Sequence, residues 1–241
     1  MQRGDERPSD QPVPEEVFAA QLGPLQRPRP LRHQVQDALV ELIISRVLTP
    51  GQHLVETDLA RRLQVSRQPV REALQALHGD GWVDLRPGMG AFVHAPTEEE
   101  VDAVFAVRPV LESESARLAA RNATPEVVKD LRGLCRVGRT ALASGDDVGV
   151  VTANAALHRQ VTALAANSAL SRIIDSLDRQ IRWYFTPIVR TRGQGSWDEH
   201  DQLIDALSRH DETAASDVMR THTERSRNTY RQMRAEQRQQ E

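Results

Sequence analysis

Beyond Pro96 the apolar residues of this chain return every three or four positions, run after run, so its C-terminal part is wholly helical and can only be helices packed on helices. Thr97 and Glu100 are placed as a capping box for a helix through about Arg121. Further helices are predicted at roughly 125–143, 147–166, 168–190, 197–209 and 212–236. Thr124-Pro125 starts the second of these six, Gly145 separates it from the third, and Ser196 with Glu199 reads as another capping box. The pattern predicts a bundle of about six helices over residues 97–236, with 237–241 as a tail.

A different pattern precedes Pro96. Val35, Leu39, Leu42, Ile43 and Val47 keep helical spacing until Thr49-Pro50-Gly51 ends the run. Leu59 and Leu63 mark a short second helix, and Val65-Ser66 makes a turn. Ser66 then caps a third helix with Pro69 in its first turn and Val70, Leu74 and Leu77 on its buried face, until Gly79 and Gly81 stop it. Trp82-Val83-Asp84-Leu85 and Ala91-Phe92-Val93-His94 are strand-like and joined by Arg86-Pro87-Gly88-Met89-Gly90, a hairpin. Three small helices and a hairpin describe a winged helix-turn-helix over residues 31–96. Residues 1–30, rich in Pro, Gln, Arg and acids and closing with Pro24, Pro28 and Pro30, read as a disordered tail. The fold class expected is mainly α: an N-terminal winged helix-turn-helix with a small β-hairpin wing, then an all-α bundle.

With 31 basic and 34 acidic side chains the net charge is −3, which argues against a protein that coats nucleic acid nonspecifically. Locality matters more. Arg61, Arg62, Arg67 and Arg71 fall in an eleven-residue stretch without an acid, a basic spot on a neutral background. Arg67 and Arg71, four apart, share one face of the third helix opposite Val70, Leu74 and Leu77, and each has the planar fork that takes guanine O6 and N7 together. No stretch approaches the roughly 18 apolar residues of a membrane span, and no leader pattern opens the chain, so a cytoplasmic protein is expected. Cys135 is the only cysteine and has no partner for a disulfide. A metal-dependent enzyme with an accessory DNA-binding domain is the alternative from another class. The chain has no HExxH helix, nucleophile elbow or phosphate-cradling loop to support it. A constitutive architectural DNA binder is a third reading.

The stretch Val65-Ser66-Arg67-Gln68-Pro69-Val70-Arg71-Glu72-Ala73-Leu74, with Pro50-Gly51-Gln52-His53-Leu54 before it and Asp80-Gly81-Trp82-Val83 after it, resembles the DNA-binding domain of the GntR family almost continuously over residues 31–96. The resemblance implies that Ser66, Arg67, Gln68 and Arg71 face bases and phosphates and that Gly88 is the wing tip, with Glu72 structural. It also implies a homodimer reading a short inverted repeat as operator DNA. Arg108-Pro109-Val110-Leu111-Glu112 through Ala116-Arg117-Leu118-Ala119-Ala120 resembles the start of the all-helical (FCD) ligand-binding domain of the FadR-type branch, more loosely and to about residue 230. That branch places an acid or amide four before a histidine, then two further histidines, around a metal. Asn154, His158, His200 and His222 match, although Asn154 stands where aspartate is frequent and Leu157 where phenylalanine is. The implied effector is a small organic acid whose binding releases DNA.

Helical phase points the same way. Asn154 and His158 share a stripe with Val150, Val161 and Ala165; His200 shares one with Trp197, Ile204 and Leu207; His222 lies between Val218 and Tyr230, and Arg108 between Val104 and Leu111. Buried polar groups need partners, so an internal polar cavity is expected, with Arg108 receiving the effector's carboxylate. Three imidazoles and one amide oxygen suit a divalent transition metal such as Zn or Ni, or else the site takes an acid without metal. His33, His53, His78, His94 and His210 have no such setting.

Overall fold

A computed structural model describes residues 29–240. Most of the tail expected over residues 1–30 therefore lies outside the described residues. Helix α1 (Leu31–Ile44) buries Val35, Leu39, Val40, Ile43 and Ile44. Strand β1 (His53–Leu54) precedes the short α2 (Glu56–Arg62) and α3 (Arg67–Gly79), whose apolar face buries Val70, Ala73, Leu74 and Leu77. Strands β2 (Val83–Arg86) and β3 (Gly90–Val93) follow. The wing is one strand richer than the hairpin expected: β3 is central, with Val83 opposite Val93 on one side and His53 opposite Phe92 on the other. Two residues cannot display an alternating pattern, so β1 left no signal of its own. Ser66 stands at the α3 N-cap position, but its hydroxyl makes no capping hydrogen bond and is exposed.

The second half is α4 (Glu98–Asn122), α5 (Pro125–Ser144), α6 (Asp147–Leu164), α7 (Ser168–Phe185), a 3₁₀ turn (Thr186–Ile188), α8 (Val189–Ser208) and α9 (Glu212–Gln240). Thr97 and Glu100 form the capping box, Thr124 caps α5, and Gly145 ends α5 at a φ of 75°, a left-handed conformation that suits glycine. Three expectations need correction. The helix predicted to reach residue 190 stops at Phe185, because Pro187 has no N–H to continue the ladder. The capping box of Ser196 and Glu199 does not form: α8 begins at Val189 and bends at Gly193 (φ 42°, ψ −137°), Ser196 is inside it, and Glu199 is drawn to charged partners instead of backbone N–H groups. The tail expected at 237–241 is helical as far as Gln240, with Arg238 reaching back 2.7 Å to Glu98.

Helix α4 packs along α9, and α5 packs against α6 and α8. One continuous apolar core joins both halves. At the junction Trp82 stacks on Trp183 of α7 with ring centres 4.8 Å apart, and Thr186 donates its hydroxyl to the Ile44 carbonyl at 3.1 Å. His94, between wing and bundle, lies 2.9 Å from Asp84 and 3.3 Å from Glu100.

Packing of α5 on α8 depends on one absent side chain. A Cβ at Gly138 lies 2.0 Å from the Trp197 ring, so only glycine lets the indole lie against α5. Trp197 in turn meets His200 edge-on at 5.1 Å. Gly138→Ala is expected to destabilise the protein by about 1–3 kcal/mol, because a close-packed core resists overfilling. Urea unfolding checks this, and an unchanged midpoint contradicts the packing argument.

Candidate effector centre and nucleic-acid interface

Four helices bring polar groups to one point in the bundle. Helix α6 carries Asn154 and His158 one turn apart, α8 carries His200, α9 carries His222 and α4 carries Arg108; all five are buried. The ligand nitrogens of His158, His200 and His222 lie within 4.8 Å of one another, and the Nε2 atoms of His158 and His200 are 3.2 Å apart. Asn154 is buried, its Oδ1 has no hydrogen-bond partner, and it lines the same pocket as His158.

Behind two of the imidazoles stand carboxylates that the sequence pattern did not single out. His158 Nδ1 lies 2.5 Å from Glu112, and His222 Nδ1 lies 2.8 Å from Glu199. Each carboxylate accepts the Nδ1–H, which leaves the Nε2 lone pair turned away from it. Glu112 also accepts from Arg108 Nε at 2.7 Å, and Glu199 from Arg225 at 2.6 Å and from Arg192. Glu112 had a faint sequence signal: it is four residues after Arg108 on the same face of α4, a spacing at which opposite charges meet. Glu199 was read as a capping residue because it follows Ser196 by three.

Arg108 is thus not the free anion receptor the sequence implied. It is 2% exposed and shares Glu112 with His158, but its Nη1 has no partner. Burial alone raises the Glu112 carboxyl, yet Arg108 and His158 beside it hold it well below the usual carboxylate range. Burial pushes His200 and His222 well below the ordinary histidine range; His158 adds to that for both, and His222 adds to it for His200. His200 and His222 are therefore neutral imidazoles at neutral pH. A small pocket adjoins the centre, with about 20 Å³ of free space and Arg108, Asn154, His158, Arg182 and Phe185 in its walls.

The DNA-binding half presents a cleft between the start of α3 and the wing, with Glu56, Arg67, Arg71 and Gly88 among its walls. Gly88 sits at the hairpin tip with φ 73° and open space where a Cβ would be. Pro87 and Gly88 fit the central positions of a turn that needs a left-handed second residue, closed by Met89 N–H to the Arg86 carbonyl at 3.0 Å. Ser66, Arg67, Gln68 and Arg71 are all exposed at the start of α3. The basic spot is not free of acid in space. Glu56 of α2 takes both oxygens to Arg71, with Nη2 at 2.9 Å, and lies 3.6 Å from Arg67, while Gln68 donates to Glu72 at 2.8 Å. Glu56 was not foreseen as their partner.

Buried neutral histidines set the response to acid. His200 and His222 have depressed pKa values when folded, so below about pH 6.5 the unfolded chain binds more protons; their contribution is complete above that value and is lost as pH falls. His94 has the opposite sign: burial lowers its pKa, but Asp84 and Glu100 more than offset this and raise it. Its contribution is complete below about 6.5 and cannot account for a loss there. For chelator-treated protein, unfolding free energy is expected to fall between pH 6.5 and 5 by up to about 1.4 kcal/mol per pH unit for each of His200 and His222. Urea titrations at stepped pH measure this; a flat profile over that window contradicts neutral burial.

Comparison with known proteins agrees with this two-part architecture. Residues 31–93 match the family of bacterial regulatory proteins called the gntR family, and residues 103–225 match the FCD domain. An HTH-type transcriptional regulator in an unstable DNA locus of Streptomyces ambofaciens is 30% identical over 201 residues, covering 79% of this chain and 81% of that protein. The Exu regulon transcriptional regulator of Escherichia coli is 29% identical over 221 residues, covering 83% and 84%. The solved structure of E. coli McbR/YncC shares the fold with a TM-score of 0.73 at 21% identity, covering 86% of this chain and 99% of that one. The chain belongs to the gntR family of bacterial regulatory proteins, with an FCD domain behind its DNA-binding domain: it is a ligand-responsive DNA-binding transcription regulator and not an enzyme.

Proposed function

We propose that this regulator is a homodimer that binds a short inverted repeat of operator DNA in the cytoplasm and is released from it by a small carboxylate held beside a divalent metal. The observation that carries the sensor half of this reading is the convergence of three buried imidazoles, two of them backed by carboxylates, next to a pocket containing an unpaired Arg108 nitrogen. With the Nδ1–H groups of His158 and His222 committed to Glu112 and Glu199, His200 can offer only one N–H to the two lone pairs at the centre. A divalent cation satisfies all three imidazoles together. The donor set fits such an ion: at metal–nitrogen distances of about 2.0–2.1 Å, two tetrahedral ligands stand roughly 3.3–3.4 Å apart, close to the 3.2 Å between His158 and His200. The Glu112–His158 and Glu199–His222 pairs are the outer partners that fix tautomer and orientation at histidine metal sites.

In this reading His158, His200 and His222 hold zinc or nickel, with Asn154 Oδ1 as a weak fourth ligand. A bound ion supplies positive charge that attracts a carboxylate. Arg108 Nη1 donates to that carboxylate, and Glu112 keeps the guanidinium and His158 oriented. Ser66, Arg67, Gln68 and Arg71 read one half-site and Gly88 approaches the adjoining minor groove, so two copies are needed for an inverted repeat. Glu56 holds Arg71 ready in the absence of DNA.

Elemental analysis of metal-supplemented, desalted protein is expected to give one zinc or nickel per chain, lost in His158→Ala. Asn154→Asp is expected to bind about tenfold or more tightly, since a charged oxygen is the stronger ligand. Wild type without stoichiometric metal, and with a melting temperature indifferent to chelator, refutes the metal reading.

Arg67→Ala and Arg71→Ala are each expected to weaken specific operator binding by about 1–3 kcal/mol at fixed salt, with little effect on folding. Fluorescence anisotropy on an operator fragment selected from random DNA measures it. Unchanged affinity in both variants refutes the assignment of α3 as the reading helix.

A further inference from the structure

One residue belongs to both the effector pocket and the domain junction. Arg182 of α7 lines the pocket with Arg108, yet its Nη1 and Nη2 donate at 2.9 and 2.6 Å to the two oxygens of Glu41, on α1 of the DNA-binding half. Among the described residues its guanidinium bonds to nothing else, and its buried Nε has no partner. Three guanidinium groups and two carboxylates line this pocket. Arg108 is matched by Glu112 and Arg159 by Asp178 at 3.3 Å, whereas the counterion of Arg182 comes from the other domain. The surplus positive charge of the pocket is therefore one of the charges that tie α1 to the bundle. Glu41 is half exposed, and the same boundary carries the Arg179–Asp37 pair at 2.7 Å and the Trp82–Trp183 stack.

Resting on the effector reading above, we infer that the effector is a short diacid, with one carboxylate on Arg108 and the other on Arg182, and that it acts by taking Arg182 away from Glu41. Two guanidinium groups in one small pocket each have an N–H without an acceptor, and a ligand acidic at both ends supplies both. The pocket as it stands has only about 20 Å³ of free space, so a ligand must be short and must displace one of its walls to enter. A carboxylate forked onto Nε and Nη2 of Arg182 takes Nη2 from Glu41, so occupancy of the pocket and attachment of α1 oppose each other. A ligand shifts a conformational equilibrium only through such a difference in affinity for the two states. A monoacid held by Arg108 alone leaves the Arg182–Glu41 pair intact and binds without releasing the junction.

Calorimetry and tryptophan emission on the full-length, metal-supplemented protein test this, with the unbranched dicarboxylates from malonate to adipate and the matching monocarboxylates as probes. Two of the three tryptophans form the junction stack, so emission reports its opening. The expected result is that a dicarboxylate binds and changes emission, whereas the monocarboxylate of equal length binds more weakly and leaves emission unchanged. Glu41→Gln removes the competitor without touching the pocket; it is expected to tighten dicarboxylate binding roughly two- to fivefold, the range of an exposed ion pair. Arg182→Gln is expected to keep monocarboxylate binding and to lose the preference for two acids. Binding of dicarboxylates with an affinity unchanged in Glu41→Gln and no emission change overturns the coupling while leaving the effector pocket standing. If no carboxylate binds wild type, the pocket reading falls and this inference falls with it.

Discussion

Charged groups inside an apolar bundle cannot be left unpaired, and that requirement organises the helical half of this regulator. An ionised carboxylate or guanidinium moved out of water without a partner costs several kcal/mol even after relaxation. Arg108, Glu112 and Glu199 are nonetheless buried among α4, α6, α8 and α9, and each has an ionic partner, which for Glu199 includes the half-buried Arg192. Two of the histidines avoid the problem differently: His200 and His222 are kept neutral by the burial that would penalise their charge. Two kinds of group result, permanent charges that hold one another and neutral rings whose lone pairs face inward. The helices must meet at the angles that allow these pairings, and Gly138 permits one of them by giving Trp197, and hence His200, its place.

The same economy of charge runs to the surface. Arg71 and Arg67 share Glu56 in the reading cleft, and Arg182 takes Glu41 across the junction. Exposed pairs of this kind contribute little to stability, about 0–1 kcal/mol. That weakness suits residues that must change partner, since a contact worth many kcal/mol could not yield to a phosphate or a small acid. The strongly paired groups are internal and hold the frame, while the weakly paired ones stand at the proposed contacts with ligand and DNA.

Much of this was legible in the residues, and the reason is locality. The capping box of Thr97 with Glu100, the Thr124-Pro125 start and the Gly145 stop are each settled within a few residues, and they appear where expected. The stripes that turn Asn154, His158, His200, His222 and Arg108 inward are also local, because a helix of known phase fixes direction. Where the reading failed, a distant group had intervened. Ser196 and Glu199 have the spacing of a capping box, but Arg192, His222 and Arg225 offer the carboxylate stronger partners.

The sequence by itself determined the helices, the wing hairpin, their order and which side chains face inward, because helical period, caps and prolines act over one or two turns. Only the tertiary structure decided which charges meet: Glu112 with His158 across 46 residues, Glu199 with His222 across 23, Arg71 with Glu56 across 15 and Arg182 with Glu41 across 141. Any acid on an inward stripe is as good a partner as another until helix packing brings one oxygen within hydrogen-bond reach, and packing depends on the whole core rather than on any single stretch of chain.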